Sequence, residues 1–310
     1  MPDFRSPKTG IYSNMHELGI DEPEDVFDVE FFRINPKPFY KVLKDLHPAK
    51  YAPTLSHYFL TLLEQKGLLS MVFTQNIDCL ELRAGLSSDK LVQAHGTFAT
   101  QRCVDCHTPY PDHDMNAAVK GRCVPRCFAT GCNSPVKPDI VFFGEPLPPH
   151  FYNNRELVGC ADLVLIIGTS LSVQPFSSLP NIAPSGTPRV LFNLERVGQL
   201  GTRPDDVLVL GPIDAGIRKL AEELDWLQEL DDMWRTSIGT DEAEKQLQRV
   251  PRITAEMDQL TDQLETALSL EDKESEMGRD SNEDETRVKL SEEKLQNNNV
   301  PRDTNSPTDL

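Results

Sequence analysis

The chain has 310 residues, 38% of them hydrophobic and 26% charged, with a formal net charge of −18, enough for one large or two smaller domains around a substantial core. No apolar run approaches the roughly 20 residues that cross a bilayer, and the start Met1-Pro2-Asp3-Phe4-Arg5 lacks the apolar core of a signal peptide. The acidic balance offers no basic face for nucleic acid, so neither membrane nor direct nucleic-acid partners are expected, and the reading is a protein of nucleus and cytoplasm.

Residues 1–66 alternate polar turns with apolar residues at helical intervals. From Pro53 to Leu63 that spacing predicts a helix, stopped at Lys66-Gly67. Residues 69–74 read as a buried strand that delivers Gln75, Asn76 and Asp78 at its C-terminal end. Residues 91–94 lead to a second strand end at His95, followed by Gly96. The run 140–143, Ile-Val-Phe-Phe, is apolar throughout. Residues 162–167 precede Gly168-Thr169-Ser170, residues 189–192 precede Asn193-Leu194-Glu195, and residues 207–210 stop at Gly211. Continuous apolar runs ending in polar or glycine turns predict an α/β fold with a parallel sheet covered on both faces. Ligands bind such sheets beyond the carboxyl ends of the strands, so the polar ends are expected to converge on one crevice.

Seven cysteines are present, five of them between Cys103 and Cys132. Cys103 and Cys106 form one short-spaced pair, and Cys127 and Cys132 another about twenty residues on, the pattern of a structural tetrahedral zinc site. Cys123 competes with Cys127 for the third place. Cys127 with Cys132 is preferred because Cys132 leads back into the apolar run at Ile140. Four thiolates leave no open coordination position, so this Zn2+ would hold structure and not activate water. His95 combines a strand end, a neighbouring glycine and an unperturbed pKa near neutrality, which suits a general base. Asn76 and Asp78 fit either ligand contacts or helix caps.

After Trp226 the composition turns polar. Ile253, Met257, Leu260, Leu264 and Leu268 lie at helical spacing and predict one amphipathic helix. It is read as a cover over the preceding domain, an export signal or a plain surface helix. From Asp241 to Leu310 there are 19 acidic against 9 basic residues, which places −10 of the −18 there. The expected organisation is a domain over 1–230 with a zinc module at about 97–139, a helical extension over 231–270 and a disordered acidic tail over 271–310.

In order, Pro2-Asp3-Phe4-Arg5-Ser6-Pro7, Thr74-Gln75-Asn76-Ile77-Asp78, Ala94-His95-Gly96-Thr97, the cysteine pairs, residues 137–145, Gly168-Thr169-Ser170-Leu171 and Asn193-Leu194-Glu195 resemble the class I sirtuins, most of all their fungal members. The resemblance implies a Rossmann-like domain joined to a small zinc-binding module and a helical module. It implies NAD-dependent deacylation of protein lysines, histone tails among them, with release of nicotinamide and O-acetyl-ADP-ribose. His95 would be the base that activates a ribose hydroxyl, and Asn76 would position ribose and water. Asp78 would bind the carboxamide and Gln75 the ribose. Asp3, Phe4 and Arg5 would serve the cofactor loop, Phe4 as a shield and Arg5 as an anchor. Gly168, Thr169, Ser170, Asn193 and Glu195 would line the phosphate and adenosine side, with Ile213 on the adenine face. Val141, Phe142, Gly144 and Glu145 would present the edge to which an acyl-lysine peptide adds as a strand. No Tyr and Arg three residues apart occur near Glu30–Asn35, so an acetyl or longer aliphatic acyl group is expected.

The resemblance has one large departure. Sirtuins carry an apolar strand and a Gly-Ala-Gly-Ile-Ser loop before the Pro-Asp-Phe-Arg motif, and here that motif follows Met1 directly. The loop cradles the pyrophosphate, so weak cofactor binding and slow deacylation are expected of the chain as written. A non-catalytic zinc-braced binder of acylated tails, or a protein ADP-ribosyltransferase, are the competing readings.

Overall fold

Strand alternation sets the two faces of the main sheet. In the computed structural model the described residues are 23–46, 51–121 and 123–249; Asp3, Phe4, Arg5, the run 253–268 and the acidic tail lie outside them. Strands β5 (Val164–Ile167), β6 (Arg189–Asn193) and β7 (Asp206–Leu210) form a parallel sheet in that order, with Ile167 opposite Phe192 and Phe192 opposite Val209. Leu165, Ile167, Val190 and Phe192 face a cluster built with helices α3 (Leu55–Gln65), α7 (Ile213–Glu223) and α8 (Leu227–Ile238). Ile166 and Leu191 face the other way, against Val197 and Leu200. Burial on both faces is why the central β6 reads as an unbroken apolar run, whereas the edge strand β7 leaves Val207 and Leu210 exposed.

Helix α3 begins where the Asp214 carboxylate of α7 accepts from the Ser56 amide at 3.1 Å and the Thr54 hydroxyl at 3.0 Å. It ends as expected at Gly67, whose φ of +70° suits glycine. Leu230 and Trp234 of α8 are buried in the cluster, and residues 240–249 continue as helix and add Ala243. Residues 227–249 therefore pack against the cluster of α3 and α7.

Strands β1 (Val72–Thr74) and β2 (Leu91–Gln93) form a second parallel pair, with Thr74 opposite Gln93. Among the described residues β1 pairs only with β2 and β5 only with β6, so the parallel sheet is present as two pieces. Strands β3 (Gly96–Cys103) and β4 (Val136–Ile140) pair antiparallel, with a register shift between Gly96 and Gln101, and carry helix α5 (Asp112–Gly121).

A helical module of α1 (Val29–Ile34) and α2 (Lys37–Leu46) closes on this ribbon. Asp28 caps α1, accepting from the Phe31 amide at 2.8 Å. Phe27, Phe32, Phe39 and Phe142 are buried and meet edge to face, as at Phe32–Phe142 with centroids 5.4 Å apart; each such pair adds about 0.5–1.5 kcal/mol beyond area burial. The buried Tyr40 hydroxyl donates to the Val136 carbonyl at 2.6 Å and joins the module to β4, burial pushing its pKa up. The apolar run 140–143 is a strand only to Ile140. Beyond it the Phe143 amide donates to Phe27 O at 2.7 Å, and Phe143 O accepts from the Val29 amide at 3.1 Å.

Candidate active site

His95 sits where β2 hands over to β3. Its neighbour Gly96 has φ +77°, and a Cβ there would lie 2.0 Å from Asp139 O, so only glycine lets β4 pass this closely. The His95 carbonyl accepts from the Val141 amide at 2.8 Å, which ties the residue to the end of β4. On the side chain, Nδ1 lies 3.1 Å from the Gln75 carbonyl oxygen. A carbonyl only accepts, so Nδ1 carries the proton and Nε2 keeps its lone pair free. Burial lowers the His95 pKa, against the opposing pull of the Gln75 carbonyl. The imidazole is thus held neutral in the tautomer a general base needs.

Residues after β1 surround it. Asn76 is exposed, and among the described residues its side chain makes no hydrogen bond to the protein, while Asp78 is buried. The Asp78 carboxylate accepts from the Leu80 amide at 3.0 Å with Oδ1, at the first residue of the short helix α4 (Leu80–Arg83), whose N-cap is Cys79; Asp78 combines this local bond with any ligand role. Gln75 Oε1 accepts from the Thr169 hydroxyl at 2.8 Å. That bond joins the carboxyl ends of β1 and β5 and brings the two parallel pieces to one place. Sequence reasoning missed Phe176, a buried ring whose centroid lies 6.2 Å from that of His95. Nothing in its local sequence marks it, because it arrives from a 3-10 helix far along the chain.

The remaining strand ends adjoin Thr169. Gly168 has φ +60°, its amide donates to Phe192 O at 2.9 Å, and a Cβ on it would lie 2.7 Å from Ile213 Cδ1. Ser170 is exposed and shares a 2.8 Å hydrogen bond with Ser172. The Asn193 side-chain Nδ2 donates to the Glu195 carbonyl at 2.9 Å, and the Glu195 residue is exposed. Hydroxyls, backbone amides and an exposed carboxylate at parallel strand ends fit a dinucleotide's phosphates and ribose.

The edge at 141–145 is more mixed than the sequence implies. Phe142 is 1% exposed and belongs to the aromatic core, whereas Phe143 is 45% exposed. Gly144 turns the chain at φ +87° with Val29 beside it. The Glu145 carboxylate points inward, accepting from the Phe142 amide at 2.8 Å and pairing with Lys137 at 3.0 Å. What the edge leaves outward is the Phe143 side chain, while the Phe143 N–H and carbonyl are bonded to Phe27 and Val29.

Cys103, Cys106, Cys127 and Cys132 come together with their sulfurs all within 4.8 Å, which resolves the choice against Cys123. Cys103 lies 3.5 Å from Cys132, and Cys106 3.5 Å from Cys127. The Cys123 thiol instead donates to Gly121 O at the end of α5. The Cys106 thiol is pulled down to about 6 by the hydroxyl and amide of Thr108. Asp105, between the first two cysteines, accepts from Arg33 Nε at 3.1 Å and so links this loop to α1.

A Sir2 family profile matches residues 1–175. The NAD-dependent protein deacetylase hst2-1 of Emericella nidulans is 49% identical over 277 residues, covering 88% of this chain and 76% of that protein. The NAD-dependent protein deacetylase hst2 of Schizosaccharomyces pombe is 43% identical, and NAD-dependent protein deacetylase sirtuin-3 of Mus musculus 46%, each over 241 residues that span 77% of this chain and 72% of theirs. Likeness of this extent, running through the strand ends that hold Gln75, His95 and Thr169, shows that the chain belongs to the Sir2 family.

Proposed function

We propose that the protein is an NAD-dependent protein lysine deacetylase. The observation that carries the reading is the His95 imidazole, held neutral by burial and fixed with Nε2 free by the Gln75 carbonyl. Bound NAD would supply an electrophilic ribose carbon with nicotinamide as leaving group, the acyl group ending on ADP-ribose. Its holders would be Gln75, Asn76 and Asp78 at one end and Gly168, Thr169, Ser170, Asn193, Glu195 and Ile213 at the other. His95 Nε2 takes a proton from a hydroxyl brought within hydrogen-bond reach. The exposed Asn76 amide orients that hydroxyl or a water, and the Asp78 oxygen not used on Leu80 receives a ligand amide. The backbone at 141–145 receives an extended acyl-lysine peptide. Net charge of −18 favours peptides with basic flanks, histone tails among them.

The four-cysteine cluster suits zinc. Tetrahedral Zn–S bonds of about 2.3 Å place sulfurs roughly 3.8 Å apart, and the spacings here run from 3.5 Å to at most 4.8 Å. As thiolates, Cys103, Cys106, Cys127 and Cys132 would close the coordination shell, so a bound ion would brace the β3–β4 ribbon and take no part in proton transfer. The test is nicotinamide release by the purified protein with NAD and an acetyl-lysine peptide. The release is expected to require the peptide and to fall about 10²–10⁴-fold in His95→Ala. Release without peptide, or none with it, would overturn the reading.

A further inference from the structure

Lys137 is a buried lysine that the proposed chemistry leaves unexplained. It lies in β4, 6% exposed, although lysine is almost never fully buried unless paired. Its ammonium donates to the Ile140 carbonyl at 2.6 Å and to Pro138 O at 3.4 Å. It pairs with the Glu145 carboxylate at 3.0 Å and rests 4.4 Å from the centroid of the Phe142 ring. The same Glu145 oxygen accepts from the Phe142 amide at 2.8 Å, and the Glu145 amide donates back to Phe142 O at 3.0 Å. Burial pushes the lysine pKa down while Glu145 opposes the shift. One cation and one carboxylate therefore close a ring over residues 137–145.

That ring has a direction. Outside it, the same few residues hold the site: the Val141 amide is bonded to His95 O at 2.8 Å, and the Phe143 amide to Phe27 O at 2.7 Å. Phe142, clamped from inside, anchors the segment in the aromatic core, and Phe143 is turned out. A buried ion pair contributes little to stability compared with well-packed apolar residues of the same volume. Its better use is to impose one backbone shape on a short irregular segment.

We infer that Lys137 and Glu145 form a positioning pair that sets the backbone of 141–145 as the edge for the acyl-lysine peptide. The inference rests on the proposed deacetylase reading, in which that edge receives the substrate. Neither side chain touches a reacting atom. Glu145 thus acts on the peptide through its carboxylate's grip on Phe142 and Lys137, without contacting the peptide with that carboxylate.

The test compares wild type with Lys137→Met, Glu145→Gln and the double variant, measuring kcat and the KM for peptide and for NAD separately. Each single variant is expected to raise the peptide KM about tenfold, the loss of about one charge-assisted hydrogen bond, with the KM for NAD within about twofold. The double variant is expected to be no worse than the poorer single, because the two act as one unit. Thermal unfolding and metal content of each variant separate this from loss of fold. An unchanged peptide KM overturns the inference, as does a rise in both KM values together or strictly additive effects. If a variant does not fold, NAD-independent binding of the acetyl-lysine peptide to the remaining variant decides by the same tenfold criterion. A wild type that releases no nicotinamide with peptide defeats the deacetylase reading itself, an outcome distinct from a working wild type whose variants bind peptide normally.

Discussion

Substituting Gly96→Ala tests whether the close approach of β4 to His95 sets the reactive geometry. The new Cβ would lie 2.0 Å from Asp139 O and 2.9 Å from Ile140 Cα, where ordinary contact begins at 3.4 Å. Both are backbone atoms, so β4 must withdraw by about 1 Å, and the residue must also hold φ +77°, which costs a non-glycine about 1–2 kcal/mol. Withdrawal at Asp139–Ile140 carries Val141 with it, and the 2.8 Å bond from the Val141 amide to His95 O is the first to stretch. A misplacement of about 1 Å at a reacting group costs on the order of 10²-fold in rate. Gly96→Ala is therefore expected to lower kcat/KM about 100-fold in steady-state deacetylation. The cysteine cluster lies at the other end of the ribbon, where Cys103 faces Val136, so metal content is expected to persist. A soluble Gly96→Ala protein with wild-type kcat/KM would refute the argument that this contact sets the base.

Three further outcomes are expected. Because burial lowers the His95 pKa, the base stays neutral below the ordinary value of about 6.5; the acid limb of kcat/KM should therefore fall below pH 6.5, and a limb above it would refute the assignment. The unfolded state takes up that proton first, so the same group also removes stability as pH falls beneath about 6.5. Asp206 accepts from Arg189 Nε and Nη2 at 2.7 and 2.8 Å and from the amides of Gly201, Thr202 and Arg203, and the Arg189 guanidinium holds its carboxyl far below the usual range. Asp206→Ala strands the buried Arg189 charge at a cost of about 3–5 kcal/mol, read by denaturant unfolding, and the wild-type contribution should be present above about pH 3.9 and lost as pH falls toward the depressed folded value. Finally, Cys127→Ser should lose bound zinc by elemental analysis while Cys123→Ser retains it, as only Cys127 joins the cluster.

The strand ends were legible because two-sided burial leaves a local trace. Ile166 and Leu191 alternate with Leu165 and Val190 against two different clusters, so the run is apolar throughout and its polar stop is conspicuous. Elsewhere the deciding partner is distant. Phe142 and Phe143 are chemically identical neighbours in an irregular turn, and only the aromatic cluster of Phe27, Phe32 and Phe39 selects which one turns inward. Spacing allowed either Cys123 or Cys127 in the four-cysteine cluster; the structure brings Cys127 into it and leaves the Cys123 thiol on Gly121 O at the end of α5. In residues 227–249 Leu230, Trp234 and Ala243 form too sparse a stripe to announce a core.

The same distinction explains why Lys137 was invisible and His95 was not. A histidine between a strand and a glycine already carries its chemistry in its neighbours. A lysine inside a strand reads as solvated, and what buries it is a carboxylate beyond the strand's end together with a ring between them. The segment that results is shared by every part of the site: His95 through Val141, the aromatic core through Phe142, and the helical module through Phe143. In the proposed reading, a base on one strand and a substrate edge on another keep a fixed distance only if the chain between β4 and its turn has one shape. On the inference drawn above, the Lys137–Glu145 pair supplies that constraint where no regular hydrogen-bond ladder continues, which would explain a charged pair at a position that packing alone would give to apolar residues.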